Sequence, residues 1–147
     1  MANTVRVRDV WEVLDHVCKG RTRDDKINRL KKYENYMPLR DILQGAFDSR
    51  IIWNLPAGTP PYTPQVEGPP APSTLLREHL KFKYFVKGLR VSEDLPVVKR
   101  ESMFINLLES IDARDAECVV NMVNKKAPMK GLTDKIVQEA FPDLIPA

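Results

Sequence analysis

Proline density is the feature that most restricts this chain. Seven of its twelve prolines fall between Pro56 and Pro72, together with Gly58, Gly68 and a single charged residue, Glu67. A proline lacks the backbone N–H and fixes φ, so neither a helix interior nor a central strand survives such crowding. The segment reads as an extended connection running over the surface of one domain, with Tyr62 and Val66 as apolar handles. As separate domains the flanking stretches, 1–55 and 73–147, would be very small, so 1–147 reads as a single compact domain with 56–72 as its proline-rich connection.

Outside that segment apolar residues recur at helical spacing. Val7, Val10, Trp11, Leu14, Val17 and Cys18 mark a first amphipathic helix stopped by Gly20. Thr22 is an expected N-cap for a second helix with Asp24 and Asp25 in its first turn and Ile27 and Leu30 as its seam. Pro38 suits the first turn of a third, carrying Leu39, Ile42, Leu43, Ala46 and Phe47 and continuing or restarting through Arg50 to Leu55. A further helix is expected from Ser73 to Gly88, although Leu80, Phe82, Tyr84 and Val86 also alternate at strand period. The remaining expectations are a helix from about Pro96 to Ile111, one opened by Asp112 and Asp115 and closed by Lys125 and Lys126, and a short one after Thr133 ended by Pro142. The sum is an all-α domain of six to seven helices. Its 147 residues, 43% hydrophobic and 29% charged, suffice for one core of ordinary size.

Side-chain chemistry removes several classes. Cys18 and Cys118 have no partners at metal-ligand spacing and read as small core residues, so no metal and no cofactor is expected. Of the two histidines, His16 lies in the first amphipathic pattern and His79 shares a turn with Arg77 and Lys81, where it could sit near phosphate. Metalloprotease, phosphate-loop and serine-hydrolase signatures do not occur. The carboxylate pairs Asp24/Asp25, Glu93/Asp94 and Asp112/Asp115 fall at expected helix starts, where dipole complementarity accounts for them, and the chain is not expected to be an enzyme. No stretch approaches the roughly 18 to 20 apolar residues of a membrane span, and no signal-peptide core is apparent, so a soluble, intracellular protein with no membrane partner is expected.

Charge is unevenly placed. Residues 75–100 carry seven basic and three acidic side chains, whereas 101–147 carry five and eight. The cations concentrate in Arg21, Arg23, Lys26, Arg29, Lys31 and Lys32, and again in Arg77, Lys81, Lys83, Lys87, Arg90, Lys99 and Arg100. Such groups gain affinity for a phosphate backbone by releasing its counterions, and otherwise serve as solvated helix faces. The aromatic interleaving in Lys81-Phe82-Lys83-Tyr84-Phe85 is the pattern of base stacking in single-strand binders, but within a helix Phe82 and Phe85 read as core.

The run Arg100-Glu101-Ser102-Met103-Phe104-Ile105-Asn106-Leu107-Leu108-Glu109-Ser110-Ile111 is followed by an acidic helix start. After it come Lys130-Gly131-Leu132-Thr133, Ile136-Val137 and Ala140-Phe141-Pro142-Asp143-Leu144-Ile145. This order resembles the end of the α-helical N-terminal DNA-binding domain of phage-type ATP-dependent DNA ligases. The helices expected over Val10–Val17, Asp24–Tyr33 and Leu39–Trp53 resemble the opening of the same domain. Gly58 to Pro64, Gly-Thr-Pro-Pro-Tyr-Thr-Pro, is similar to a stretch of uncharacterised marine tailed-phage proteins. The Lys-x-Asp-Gly motif on which ligases form their lysyl adenylate occurs nowhere, so joining DNA ends unaided is excluded. The resemblance therefore implies a freestanding, non-catalytic, largely sequence-independent double-stranded DNA-binding module, acting in the cytoplasm of an infected bacterial host cell. Its expected phosphate contacts are Arg77, Lys81, Lys83, Lys87 and Arg90, with Lys130, Gly131 and Thr133 in the turn before the last helix. The competing expectations are a protein-interaction module acting on a host or viral replication or transcription protein, and a virion or assembly component.

Overall fold

The computed structural model describes residues 9–66 and 68–145. Helix α1 (Val10–Cys18) buries the stripe Val10, Val13, Leu14 and Val17, while Val7 lies outside the described residues. In α2 (Arg23–Lys31) Ile27 and Leu30 are buried, and the Thr22 hydroxyl accepts the Asp25 N–H at 3.1 Å, as its N-cap position requires. Arg29 Nη1 donates to the His16 carbonyl at 2.7 Å and so satisfies the end of α1 from the neighbouring helix.

Helix α3 (Met37–Phe47) has Pro38 in its first turn and stops at Phe47, so the expected continuation through Arg50–Leu55 is not helical. The buried Asp48 carboxylate explains the stop. It accepts the Arg50 N–H at 2.9 Å and the Arg50 guanidinium at 3.0 and 2.9 Å, folding the chain back. Trp53 then forms an isolated antiparallel bridge with Val86, flanked by Asn54 N–H to the Phe85 carbonyl at 2.6 Å and Lys87 N–H to the Ile52 carbonyl at 2.7 Å. The indole N–H of Trp53 donates to the Gly45 carbonyl at 3.0 Å. Only glycine allows that approach, because a Cβ at position 45 would lie 2.5 Å from Trp53 Cζ2 and 2.7 Å from Met122 Sδ.

The single helix expected from Ser73 to Gly88 is divided. Thr74, not Ser73, occupies the N-cap of α4 (Leu75–Glu78), which passes into a 3-10 helix, His79–Phe85. His79, Phe82 and Phe85 are buried at intervals of three, the repeat of a 3-10 helix. A four-residue α5 (Arg90–Glu93) precedes α6 (Val97–Ser110), and Glu93 and Asp94 end α5 rather than start a helix. Asp112 caps α7 (Ala113–Val123), accepting the Arg114 N–H at 2.8 Å. Asp115 departs from expectation: it is buried and accepts the Trp11 N–H at 2.8 Å, serving the start of α1 rather than its own helix. Lys125 likewise serves another helix, donating from Nζ to the carbonyls of Gly45 and Asp48 at the end of α3 and of Ile51 in the loop beyond it. Thr133 caps α8 (Asp134–Ala140).

The described residues thus form eight α-helices and one 3-10 helix, more than the six to seven expected because two short turns, α4 and α5, are separate elements. The fold is all-α, and one continuous hydrophobic cluster runs from Val10 on α1 to Ile145. The proline-rich connection lies across α6 and α7. Gly58 exchanges two hydrogen bonds with the Asn124 side chain at 2.8 and 3.0 Å, Thr63 N–H donates to Glu109 Oε2 at 2.8 Å, and Gln65 Nε2 donates to the Glu109 carbonyl. Tyr62 packs half-buried on the core. No helix among the described residues is long and apolar enough to cross a membrane.

Candidate nucleic-acid interface

The turn before α8 is built by Leu132, which is buried, and Gly131, whose φ of +100° is a conformation L side chains rarely adopt. α8 packs along α2, bringing Gly131 against Cys18 and placing Lys26 Nζ 3.0 Å from the Gly131 carbonyl. Burial pushes the Cys18 thiol up, with the Lys26 charge opposing. Lys130, next to Gly131, and Arg21, just before α2, are exposed, while Arg23 pairs with Glu139 at 2.7 Å and holds that carboxyl below its usual range. The Thr133 hydroxyl oxygen accepts the Ile136 N–H at 3.3 Å, so it caps its own seven-residue helix. The turn therefore offers an anion the remaining N–H donors of Lys26, one of which is spent on the Gly131 carbonyl, and the exposed Lys130 next to it in the chain, more than the Thr133 oxygen or the dipole of so short a helix.

The other expected contacts sit elsewhere in the fold. Arg77, Lys81, Lys83, Lys87 and Arg90 are all exposed on α4, the 3-10 helix, the turn after it and α5, a group seated on α3 and α6. Lys81 pairs with Glu78 at 2.8 Å, Arg90 with Asp94 at 3.5 Å, and Lys83 lies 5.4 Å from the Tyr84 ring centroid. His79 does not face phosphate: it is buried, with Nδ1 2.6 Å from Asp41 Oδ2. Arg100, counted in the same basic run, is also buried, its guanidinium donating to the carbonyls of Asn54, Ser92 and Leu95 at 2.8 to 3.1 Å. Lys26 belongs to the first basic run of the sequence, but only tertiary packing of α2 on α8 brings it to the Gly131 turn, a juxtaposition that spacing does not show.

Two clefts border the proline-rich connection. One, of about 200 Å³, lies between Leu55–Pro61 and α6 and has Glu101 as its charged lining residue. Among the described residues no three His, Cys, Asp or Glu side chains are grouped to hold a metal ion.

Fold and surface together define a one-domain, all-helical protein with exposed cations at two corners. Within that class the chain belongs to DUF6433, a family of unknown function whose model matches residues 13–128, from within α1 to just past α7. No curated protein and no solved structure matches it.

Proposed function

We propose that this chain is a non-catalytic module that holds double-stranded DNA by its phosphates without reading base sequence. The observation that carries the reading is Lys26 Nζ docked on the Gly131 carbonyl, which joins the exposed Lys130 of that turn to the basic α2 stretch that begins near exposed Arg21, more than 100 positions away in the chain. Cations held at a glycine turn can approach a phosphate backbone closely, and each contact releases a condensed counterion. The likeness of Lys130–Thr133 and Phe141–Ile145 to the end of a ligase DNA-binding domain supports the same assignment, as does the absence of a Lys-x-Asp-Gly motif for its non-catalytic character.

Fluorescence anisotropy on a random duplex tests it. Affinity is expected to fall at least about tenfold between about 50 and about 200 mM salt, and Lys130→Ala and Arg21→Ala each to reduce the salt slope by about one. Failure to bind at the lower salt, or indifference to salt, rejects DNA binding. A loss of slope in Lys83→Ala with Lys87→Ala, and none in Lys130→Ala, moves the interface to the other corner.

A further inference from the structure

The second corner differs in kind from the first, because its cations are interleaved with exposed aliphatic side chains. Of the nine large hydrophobic residues exposed in the described chain, six lie between Leu76 and Val98, among them Leu80 at 66% and Val98 at 76% exposure. Ile52, a seventh, is joined to the same corner by the Lys87 N–H bond to its carbonyl. These side chains are not loosely displayed. The backbone beneath them is fixed by the Trp53–Val86 bridge and by Arg100, which binds the carbonyls of Ser92 within α5 and Leu95 just after it, while Glu93 accepts the Gly88 N–H at 2.9 Å and the Asn54 amide at 3.1 Å. A rigid surface that leaves aliphatic groups in water gains free energy when something apolar covers them.

We infer that this corner, from the 3-10 helix to the first turn of α6, docks an acidic amphipathic segment of a partner protein. Charge selects the occupant. Lys83, Lys87 and Lys99 are exposed with no carboxylate partner among the described residues, whereas Glu78 is engaged by Lys81, Asp94 by Arg90, and Glu93 by the bonds above. A segment with leucines along one face and glutamates beside them covers Leu80, Val91 and Val98 and meets those lysines. A phosphate backbone draws nothing from the aliphatic groups. A lipid surface favours one continuous amphipathic helix with outward aromatics; here a 3-10 helix, a single α-helical turn and the start of α6 form the corner, and Phe82 and Phe85 are buried.

This assignment stands apart from the DNA reading, which rests on the Gly131 turn. Its test is titration of the 15N-labelled full chain, by NMR, with a helical peptide of about sixteen residues bearing Leu at i, i+4 and i+7 and Glu elsewhere. Shifts are expected at Leu80, Lys83, Val91 and Val98. Val98→Asp and Leu80→Asp, both at exposed positions, should weaken binding about tenfold or more with the circular dichroism spectrum unchanged. The inference is overturned by shifts elsewhere or none. Equal binding of a counterpart with glutamine in place of leucine also overturns it, as does stronger occupancy of the corner by random duplex or phosphatidylserine vesicles. Association of the chain with itself through this corner, seen by light scattering, replaces the acidic partner with a second copy.

Discussion

Lys125 illustrates how a cation counted from sequence can be committed to the fold. It sits at φ +59°, and its ammonium donates to the carbonyls of Gly45, Asp48 and Ile51 at 2.7, 2.8 and 3.0 Å. The first two belong to the end of α3, where the intrahelical donors run out, and the third to the loop beyond it. Lys125→Ala removes the donors and leaves an L residue in a left-handed conformation, and is expected to cost on the order of 2 kcal/mol. Lys125→Gly removes the same donors yet relieves the backbone, so it should recover about 1 kcal/mol of that loss. Urea unfolding followed by tryptophan fluorescence orders the two; equal losses would show that the positive φ contributes nothing. The same lesson applies to Arg100 and Arg29, whose guanidiniums are bound to backbone carbonyls. Net charge over a sequence window therefore overstates the cations available to a partner, because nothing in the window tells which of them will meet an unfilled helix end.

At the scale of elements, legibility followed period. α1, α3, α6 and α7 carry apolar stripes at α-helical spacing, and each was readable; Thr22 and Thr133 were readable as caps because a hydroxyl before a polar first turn has a local use. The stretch from Ser73 to Gly88 was not. Its buried residues repeat every three positions, a spacing that satisfies neither the α-helical nor the strand template. Local sequence assigns Asp115 to its own helix start, whereas packing of α7 on α1 delivers its carboxylate to the Trp11 N–H. Burial, reinforced by Asp9, Asp112 and Glu12, raises that carboxyl from 3.8 to about 7, with the Trp11 hydrogen bond opposing. The native state thus holds the Asp115 proton more tightly than the unfolded chain does. Its contribution to stability is fullest below about pH 4 and is lost as pH rises towards 7. Asp115→Asn keeps an acceptor for the Trp11 N–H and removes the titration. The variant should be the more stable by about 2 to 4 kcal/mol at neutral to alkaline pH, with the advantage shrinking towards acid. Thermal melts of both proteins from acid to alkaline pH check this, and parallel profiles would assign the titration to another group.

For the whole molecule, the proline-rich connection is where sequence was most informative about what could not form and least informative about what holds the result in place. Missing donors and fixed φ exclude helix and central strand from local chemistry alone. The anchors are distant: Asn124 at the end of α7 for Gly58, and Glu109 near the end of α6 for Thr63 and Gln65. An extended strap has no hydrogen-bond ladder of its own, so its backbone depends on such side chains. Asn124 fills both the donor and the acceptor of Gly58, and its amide also reaches the Val120 carbonyl at 2.9 Å, so the strap and the end of α7 share one fastening. Asn124→Ala should therefore lower global stability by about 1 to 2 kcal/mol and disproportionately speed cleavage between Gly58 and Val66 by a broad-specificity protease under native conditions. If cleavage there accelerates only as far as the global loss dictates, the strap opens with the core rather than ahead of it. Its hold then comes from Tyr62 packed on that core, and the Gly58–Asn124 pair is only one bond among many.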